Sequence, residues 1–490
     1  MYGRLVGFLF WGCVFSLFGL GTLAGAPGPE TLPQPGTSRT AWMSPMKTPD
    51  GGFLAWRITK REEDSTVQEL RGKFSGDDCR TWSEEQVLGE IPLEDKGTYH
   101  TGLGLLERVG VMHVLGLHYY GLGPKGFHGW EDARSLLYHM MSADGGKTWS
   151  QPQHADFGYL YTGALNSLVQ LKSGRILAPI SYYSKRMTGD FIGKLSISDN
   201  GGKTWRPSRG EVVVDTGGCS LETGASEPVC IQLEAGRIWM LIRAQDGYLH
   251  ESFSTDDGET WSEPAPSRFL SSNAPAALLR LRDGRLVVAW NNSTGPRRIS
   301  GIPISYARRV LTVALSDDEG KTWNGYREVA RDVEYPALNA SSDGAILVYS
   351  RKFKRVSTNW LMEKSFSDHF QKGLQNWYTQ GCEGVEAITH PDRPDAKVLA
   401  MRKPKVKVPA GASLNFPFGV RGTLSMRIRM NRNDNWINRQ HYYFCLTDFF
   451  CMPRMPDVGP GSGQFETGCG GRFPPVGASR GVSLRMVKSG

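Results

Sequence analysis

Ser142-Ala-Asp144-Gly-Gly146-Lys-Thr148-Trp149 recurs along the chain as Ser198-Asp-Asn200-Gly-Gly202-Lys-Thr204-Trp205, Ser254-Thr-Asp256-Asp-Gly258-Glu-Thr260-Trp261 and Ser316-Asp-Asp318-Glu-Gly320-Lys-Thr322-Trp323. A degenerate copy, Ser75-Gly-Asp77-Asp-Cys79-Arg-Thr81-Trp82, puts Cys79 at the glycine position. Each copy has the chemistry of a hairpin turn: the Asp or Asn side chain accepts bonds from the turn's own backbone, Gly supplies positive φ, and Trp packs the returning strand. Strand-like runs such as Lys194-Leu-Ser-Ile-Ser198 and Leu311-Thr-Val-Ala-Leu315 precede the turns.

Successive copies lie 67, 56, 56 and 62 residues apart. A second turn is interleaved with them: Asp50-Gly51, Ser173-Gly174, Ala235-Gly236, Asp283-Gly284 and Asp343-Gly344 each precede an apolar strand, and the run Leu105 to Leu117 supplies the equivalent hairpin of the second repeat. One turn of each kind makes four strands, and the sixth repeat, after Tyr335, lacks the box. The two periodicities predict an all-β fold, a six-bladed β-propeller over residues 41–366, with Trp82, Trp149, Trp205, Trp261 and Trp323 in equivalent outer positions.

At 490 residues the chain is too long for one ordinary core, and 39% hydrophobic with 11% aromatic residues excludes a disordered chain. The N-terminus reads as a cleaved export signal over residues 1–26: Arg4, the apolar run Leu5 to Leu23, then the small residues Ala24-Gly25-Ala26. It predicts a secreted, periplasmic or cell-surface protein with no membrane insertion after cleavage, and a flexible lead-in over 27–40. The formal net charge of +8 is carried by scattered Lys and Arg without a long basic run, so no nucleic-acid partner is expected. Of eight cysteines, Cys13 lies in the signal, Cys219 and Cys230 are close enough to close a short loop, and Cys445, Cys451 and Cys469 cluster near the end; the sequence does not fix their pairing. With no His/Cys cluster at ligand spacing, no structural metal is expected. From about Phe370 the boxes stop, and Leu414 to Gly419 and Thr423 to Met430 read as strands of a second β domain over 370–490.

The box repeats resemble the Asp-boxes, or BNR repeats, of the bacterial sialidase (neuraminidase) family, over roughly residues 41–366. In that family the boxes lie on the outer rim, so they receive no catalytic role here. The resemblance implies a Tyr nucleophile deprotonated by a neighbouring Glu, an exception to the usual pair of carboxylates, with arginines holding the substrate carboxylate. In Ser226-Glu227-Pro228-Val229, Glu227 is similar to the family's base, and Arg243, sixteen positions later, to one of its arginines. Arg308, which opens the strand into the last box, is similar to another, with Arg309 as the alternative. Tyr335 in Glu334-Tyr335-Pro336 is similar to the nucleophile.

The first repeat departs from the pattern. It begins Ala41-Trp42-Met43-Ser44-Pro45, where the family usually has an aromatic-Arg-Ile-Pro segment. Arg57, at the end of the next strand, is the candidate substitute, and Asp64 in Arg61-Glu62-Glu63-Asp64 is the candidate general acid. The C-terminal domain resembles the jelly-roll sandwiches attached to secreted glycosidases and reads as incomplete.

What the resemblance implies is a retaining exo-glycosidase acting on terminal α-linked sialic acid or a related acidic sugar, partnered by sialylated or other acidic glycans and requiring no cofactor or metal. The first-repeat departures leave a non-catalytic carbohydrate-binding propeller as the alternative. The sequons at Asn291, Asn292 and Asn339 matter only if the producer glycosylates exported proteins, and otherwise read as plain loop residues.

Overall fold

A computed structural model of the chain describes residues 10–11, 27–36, 42–61, 64, 67–91, 99–120, 134–162, 164–184, 190–215, 223–292, 298–299, 302–303, 308, 310–363, 367–379, 384–401, 412–414, 421–428 and 480–487. It divides into two compact units, one comprising Pro27–Trp323 with Val329–Thr358, the other residues 1–26, 324–328 and 359–490.

The first unit, taken with residues 324–328 that complete a strand of its fifth sheet, is the six-bladed propeller. Blade one consists of Met46–Lys47, Phe53–Lys60, Gln68–Ser75 and Gln86–Ile91; blade two of Tyr99–Leu106, Met112–Tyr120, Arg134–Ser142 and Gln153–His154. Blade three is built from Val169–Gln170, Ile176–Tyr183, Asp190–Ser198 and Arg206–Pro207, with Thr223–Gly224 added parallel to its third strand. Blade four is Ser226–Gln232, Ile238–Arg243, Tyr248–Ser254 and Ala265–Leu270; blade five is Ala277–Arg280, Leu286–Asn292, Val310–Ser316 and Asn324–Arg331. Blade six has three strands of its own, Ala337–Ala340, Ile346–Tyr349 and Lys354–Val356, and takes the fourth from Glu30–Thr31 near the other end of the chain.

That fourth strand lies within the segment 27–40 expected as a flexible lead-in, of which residues 27–36 are described. Glu30 pairs with Arg355 and Thr31 with Lys354, the Leu32 amide donates to the Phe353 carbonyl at 3.0 Å, and Leu32 itself is buried. Gln34 Nε2 donates to Ser350 O and Trp82 Nε1 to Pro33 O. The sixth box is missing for the same reason: the outer strand of the blade does not follow its third strand in sequence, so no box hairpin is needed there.

Both turn families behave as their residues dictate. Gly51, Gly110, Gly174, Gly236, Gly284 and Gly344 close the six inner hairpins with φ between 83° and 93°, a region open to Gly without a Cβ penalty; Gly110 supplies the turn expected within Leu105 to Leu117. In the box of blade two, Ser142 Oγ donates to Asp144 Oδ1 and accepts from the Gly146 amide, while the amides of Lys147 and Thr148 and the Thr148 hydroxyl donate to the Asp144 carboxylate. These bonds hold the Asp144 carboxyl down at about 2. The degenerate copy keeps the pattern because Cys79 takes φ 67° and its amide still donates to Ser75 Oγ. The indoles of Trp149, Trp205 and Trp323 donate to the carbonyl of their own box glycine; Trp82 donates to Pro33 instead.

The core lies between blades. Leu171, Leu177, Leu195 and Ile197 of blade three pack with Cys230, Ile238, Met240 and Ile242 of blade four, and Trp261 seals the cluster. Each such side chain contributes about 1.5–3 kcal/mol by leaving water. Cys230 is a free thiol in this layer; burial pushes its thiol up to about 12, and that of Cys79 likewise. Asn291 and Asn292 are buried within a strand of blade five and are not loop residues, and Asn339 donates from Nδ2 to Pro45 O.

In the second unit, Val385–His390 pairs with Arg393–Met401, Trp377–Tyr378 with Ser413–Leu414, and Arg421–Ile428 with Arg480–Val487. Phe370, Trp377, Leu399 and Ala412 form its described apolar cluster. The expected strand over 414–419 falls mostly outside the described residues, as do Cys219, Arg309, Cys445, Cys451, Cys469 and nearly all of the expected export signal. Among the described residues no helix is long and apolar enough to cross a membrane.

Candidate active site

In an antiparallel blade, the start of the innermost strand and the end of the second strand lie at the same edge. Glu227 enters the innermost strand of blade four, Arg243 ends the second, and Tyr335 stands two residues before the innermost strand of blade six. Arg308 precedes the third strand of blade five. The structure brings these four residues together.

The Tyr335 hydroxyl donates to Glu227 Oε1 at 3.2 Å. Arg243 Nη1 donates to both partners, to Glu227 Oε2 at 2.6 Å and to the Tyr335 oxygen at 3.0 Å. The Arg308 guanidinium carbon sits 5.3 Å from the Tyr335 ring centroid, a cation–π contact. Glu227 and Arg243 are buried, 4% and 5% exposed, which makes their pairing obligatory; Tyr335 is half-buried.

Glu227 and Tyr335 also share a backbone anomaly, with φ of 45° and 54°, and each is followed by proline. A left-handed conformation costs a non-glycine residue about 1–2 kcal/mol, and such strain persists only where neighbours enforce it. For Glu227 the neighbour is blade three: its amide donates to Ser181 Oγ at 2.9 Å, and Ser181 is itself bonded to the Thr162 hydroxyl. A register shift between Ser226 and Val229 gives the bulge that turns the Glu227 side chain toward Arg243.

Two further residues complete the cluster, and neither stands out in the sequence. Asn273, 1% exposed, accepts from Arg243 Nε at its side-chain oxygen and from Arg308 Nε and Nη2 at its carbonyl. Its one local signal is its place just before Ala274-Pro275, at the entrance to blade five, where Glu227-Pro228 and Tyr335-Pro336 open blades four and six. Glu334 accepts from Arg308 Nη1 at 2.9 Å and from Arg351 Nη2 at 2.6 Å.

Arg57 is not brought into this cluster. The hairpin does set it beside Trp42, 5.4 Å from the ring, but its Nε and Nη2 donate to Glu85 at 3.0 and 2.7 Å. Asp64 is exposed on the turn that joins the second and third strands of blade one, where its carbonyl accepts from the Val67 amide. Among the described residues no group of His, Cys, Asp and Glu could hold a metal ion.

Fold and repeats define a propeller of BNR type. The family model described as "BNR repeat-like domain" matches residues 52–348, and the chain belongs to this sialidase-like family. A sialidase of Micromonospora viridifaciens is 26% identical over 334 residues, covering 61% of this chain and 47% of that protein; the chain thus spans about half the length of the curated relative it matches. Among solved structures, a protein of unknown function from Dyadobacter fermentans aligns with TM-score 0.47 and 18% identity, over 77% of this chain and all of that one. Trypanosoma rangeli sialidase aligns with TM-score 0.44 and 16% identity, over 68% and 59%.

Proposed function

We propose that the propeller is a retaining exo-glycosidase that releases terminal α-linked sialic acid or a related acidic sugar. Tyr335 Oη attacks the anomeric carbon and passes its proton to Glu227 Oε1, while the glycosidic C–O bond breaks and the leaving oxygen takes a proton from a general acid, for which Asp64 is the candidate. Water then attacks the glycosyl–tyrosine bond with the same groups acting in reverse, so that two inversions give retention. Arg243 orients the Glu227 carboxylate and donates to the oxygen on which charge develops. Arg308 has five N–H donors, of which three are committed to Asn273 and Glu334, leaving two to receive a substrate carboxylate. The jelly-roll reading of the C-terminal domain and export from the cell belong to the same proposal.

The observation that carries this reading is the Tyr335–Glu227 hydrogen bond at 3.2 Å with Arg243 bonded to both groups. A phenol, with an ordinary pKa near 10, is a poor nucleophile at neutral pH unless a base is this close. The test is hydrolysis of a fluorogenic α-sialoside by wild type, Tyr335→Phe and Glu227→Gln, with melting temperatures alongside. Loss of activity of about a hundredfold or more in both folded variants supports the assignment. Full activity in Tyr335→Phe, or inactivity of the wild type on every acidic glycoside, contradicts it.

A further inference from the structure

Each of the two arginines in the cluster is already neutralised. Arg243 faces Glu227 at 2.6 Å and Arg308 faces Glu334 at 2.9 Å, so two guanidiniums stand against two carboxylates and the four residues carry no net charge. Such a set can orient a carboxylate, but it has little field with which to draw one out of water. The surplus positive charge has to come from elsewhere, and Arg57, paired with Glu85, has no bond to any of these four residues.

Arg351 is placed to do so. It lies seven residues beyond Gly344, as Arg243 lies seven beyond Gly236. In blade six Ala337 pairs with Tyr349, and Tyr335 and Arg351 each lie two residues beyond that pair in the chain. The guanidinium is held by Glu334 Oε1 at 2.6 Å while Glu334 Oε2 holds Arg308, so one carboxylate separates the two arginines. Yet the Arg351 side chain is 74% exposed, and among the described residues it bonds Glu334 alone through Nη2. Most of its donors face water. A Glu334 shared by two arginines fixes Arg351 beside the site without cancelling it.

We propose that Arg351 is a substrate-binding residue: it engages the carboxylate of an acidic sugar alongside Arg308 and supplies the net charge that draws that sugar to Tyr335. The inference rests on the sialidase-type reading for its substrate class. It is tested with wild type, Arg351→Gln and Arg351→Lys by calorimetric titration of N-acetylneuraminic acid at low and high salt, together with hydrolysis of a fluorogenic α-sialoside. Arg351→Gln should weaken binding and raise KM about tenfold, flatten the salt dependence, and leave the melting temperature within about two degrees, because an exposed pair contributes little to stability. Arg351→Lys should recover most of the affinity, since an exposed site needs the charge more than the fork.

If wild type binds the acidic sugar in an Arg351-dependent, salt-sensitive way but hydrolyses nothing, this inference stands and the hydrolase reading falls. If wild type hydrolyses the sialoside and Arg351→Gln keeps the same KM and salt dependence, this inference is overturned and the hydrolase reading stands. Absence of binding by wild type overturns this inference, and absence of hydrolysis as well overturns both.

Discussion

Asn273 accepts the Nε–H of Arg243 at 2.6 Å through its side-chain oxygen, while its carbonyl receives Nε and Nη2 of Arg308 at 3.0 and 2.7 Å. One buried residue thus positions both arginines, but by different atoms. Asn273→Ala removes the first attachment and leaves the second intact. Because Arg243 also bonds Glu227 and Tyr335, the variant should lose about tenfold in kcat while binding of a free acidic sugar changes by less than threefold. Steady-state kinetics beside calorimetric titration separates the two effects, and equal losses in both would show that Asn273 acts on the fold as a whole. The stability cost should be about 1–3 kcal/mol, the cost of a buried donor left unsatisfied.

Leu32 joins the Glu30–Thr31 strand to the third strand of blade six and is 3% exposed among Phe53, Cys79, Leu347 and Phe353. The ring closes there without a covalent link. Leu32→Ala should therefore cost about 2–4 kcal/mol, read from urea denaturation, and removing residues 27–36 should cost more, because the Glu30 and Thr31 pairing and the bonds of Pro33 and Gln34 go with it. A change below half a kcal/mol would mean that closure does not depend on this segment.

The repeat architecture was legible because it is written in local chemistry. A turn such as Asp144-Gly-Gly146-Lys-Thr148 satisfies its own backbone bonds, so its sequence and its conformation are nearly the same statement. The meeting of Glu227, Arg243, Arg308 and Tyr335 was legible only through the resemblance, which matches their order and separations to the family's. Asn273 was not, because its role arises only when blades four, five and six meet. Nor was the Glu30–Thr31 strand: it is two polar residues long, and its register is set by partners more than 320 residues away. The Arg57–Glu85 pair is not legible either, since the hairpin fixes where the Arg57 backbone lies but not which carboxylate meets its side chain.

His113 Nδ1 and His139 Nε2 face each other at 2.9 Å in blade two, both fully buried, with Glu107 3.5 Å from the far side of His113 and Trp205 edge-on to His139. Burial, and then His113, push the His139 pKa down to about 3. The unfolded chain takes up this proton near pH 6.5 whereas the folded chain does not, so acid favours unfolding. The stabilisation from a neutral His139 is complete above about pH 6.5 and is lost progressively as the pH falls toward 3. The melting temperature should decline between about pH 6.5 and 5, before most carboxylates titrate, and His139→Gln should show a shallower decline. A wild-type melting temperature that is flat across this window would contradict the assignment.

The central claim, that Tyr335 is the nucleophile, is tested most directly by trapping its glycosyl bond. A fluorinated sialosyl fluoride, whose ring fluorine slows hydrolysis of the intermediate, is incubated with wild type and Tyr335→Phe, and the tryptic peptide Asp332 to Arg351 is weighed by mass spectrometry. The account predicts that the wild-type peptide gains the mass of one fluorosialosyl group on Tyr335, and that Tyr335→Phe gains none. Turnover of the reagent with an unmodified Tyr335, or labelling at another residue, would contradict it.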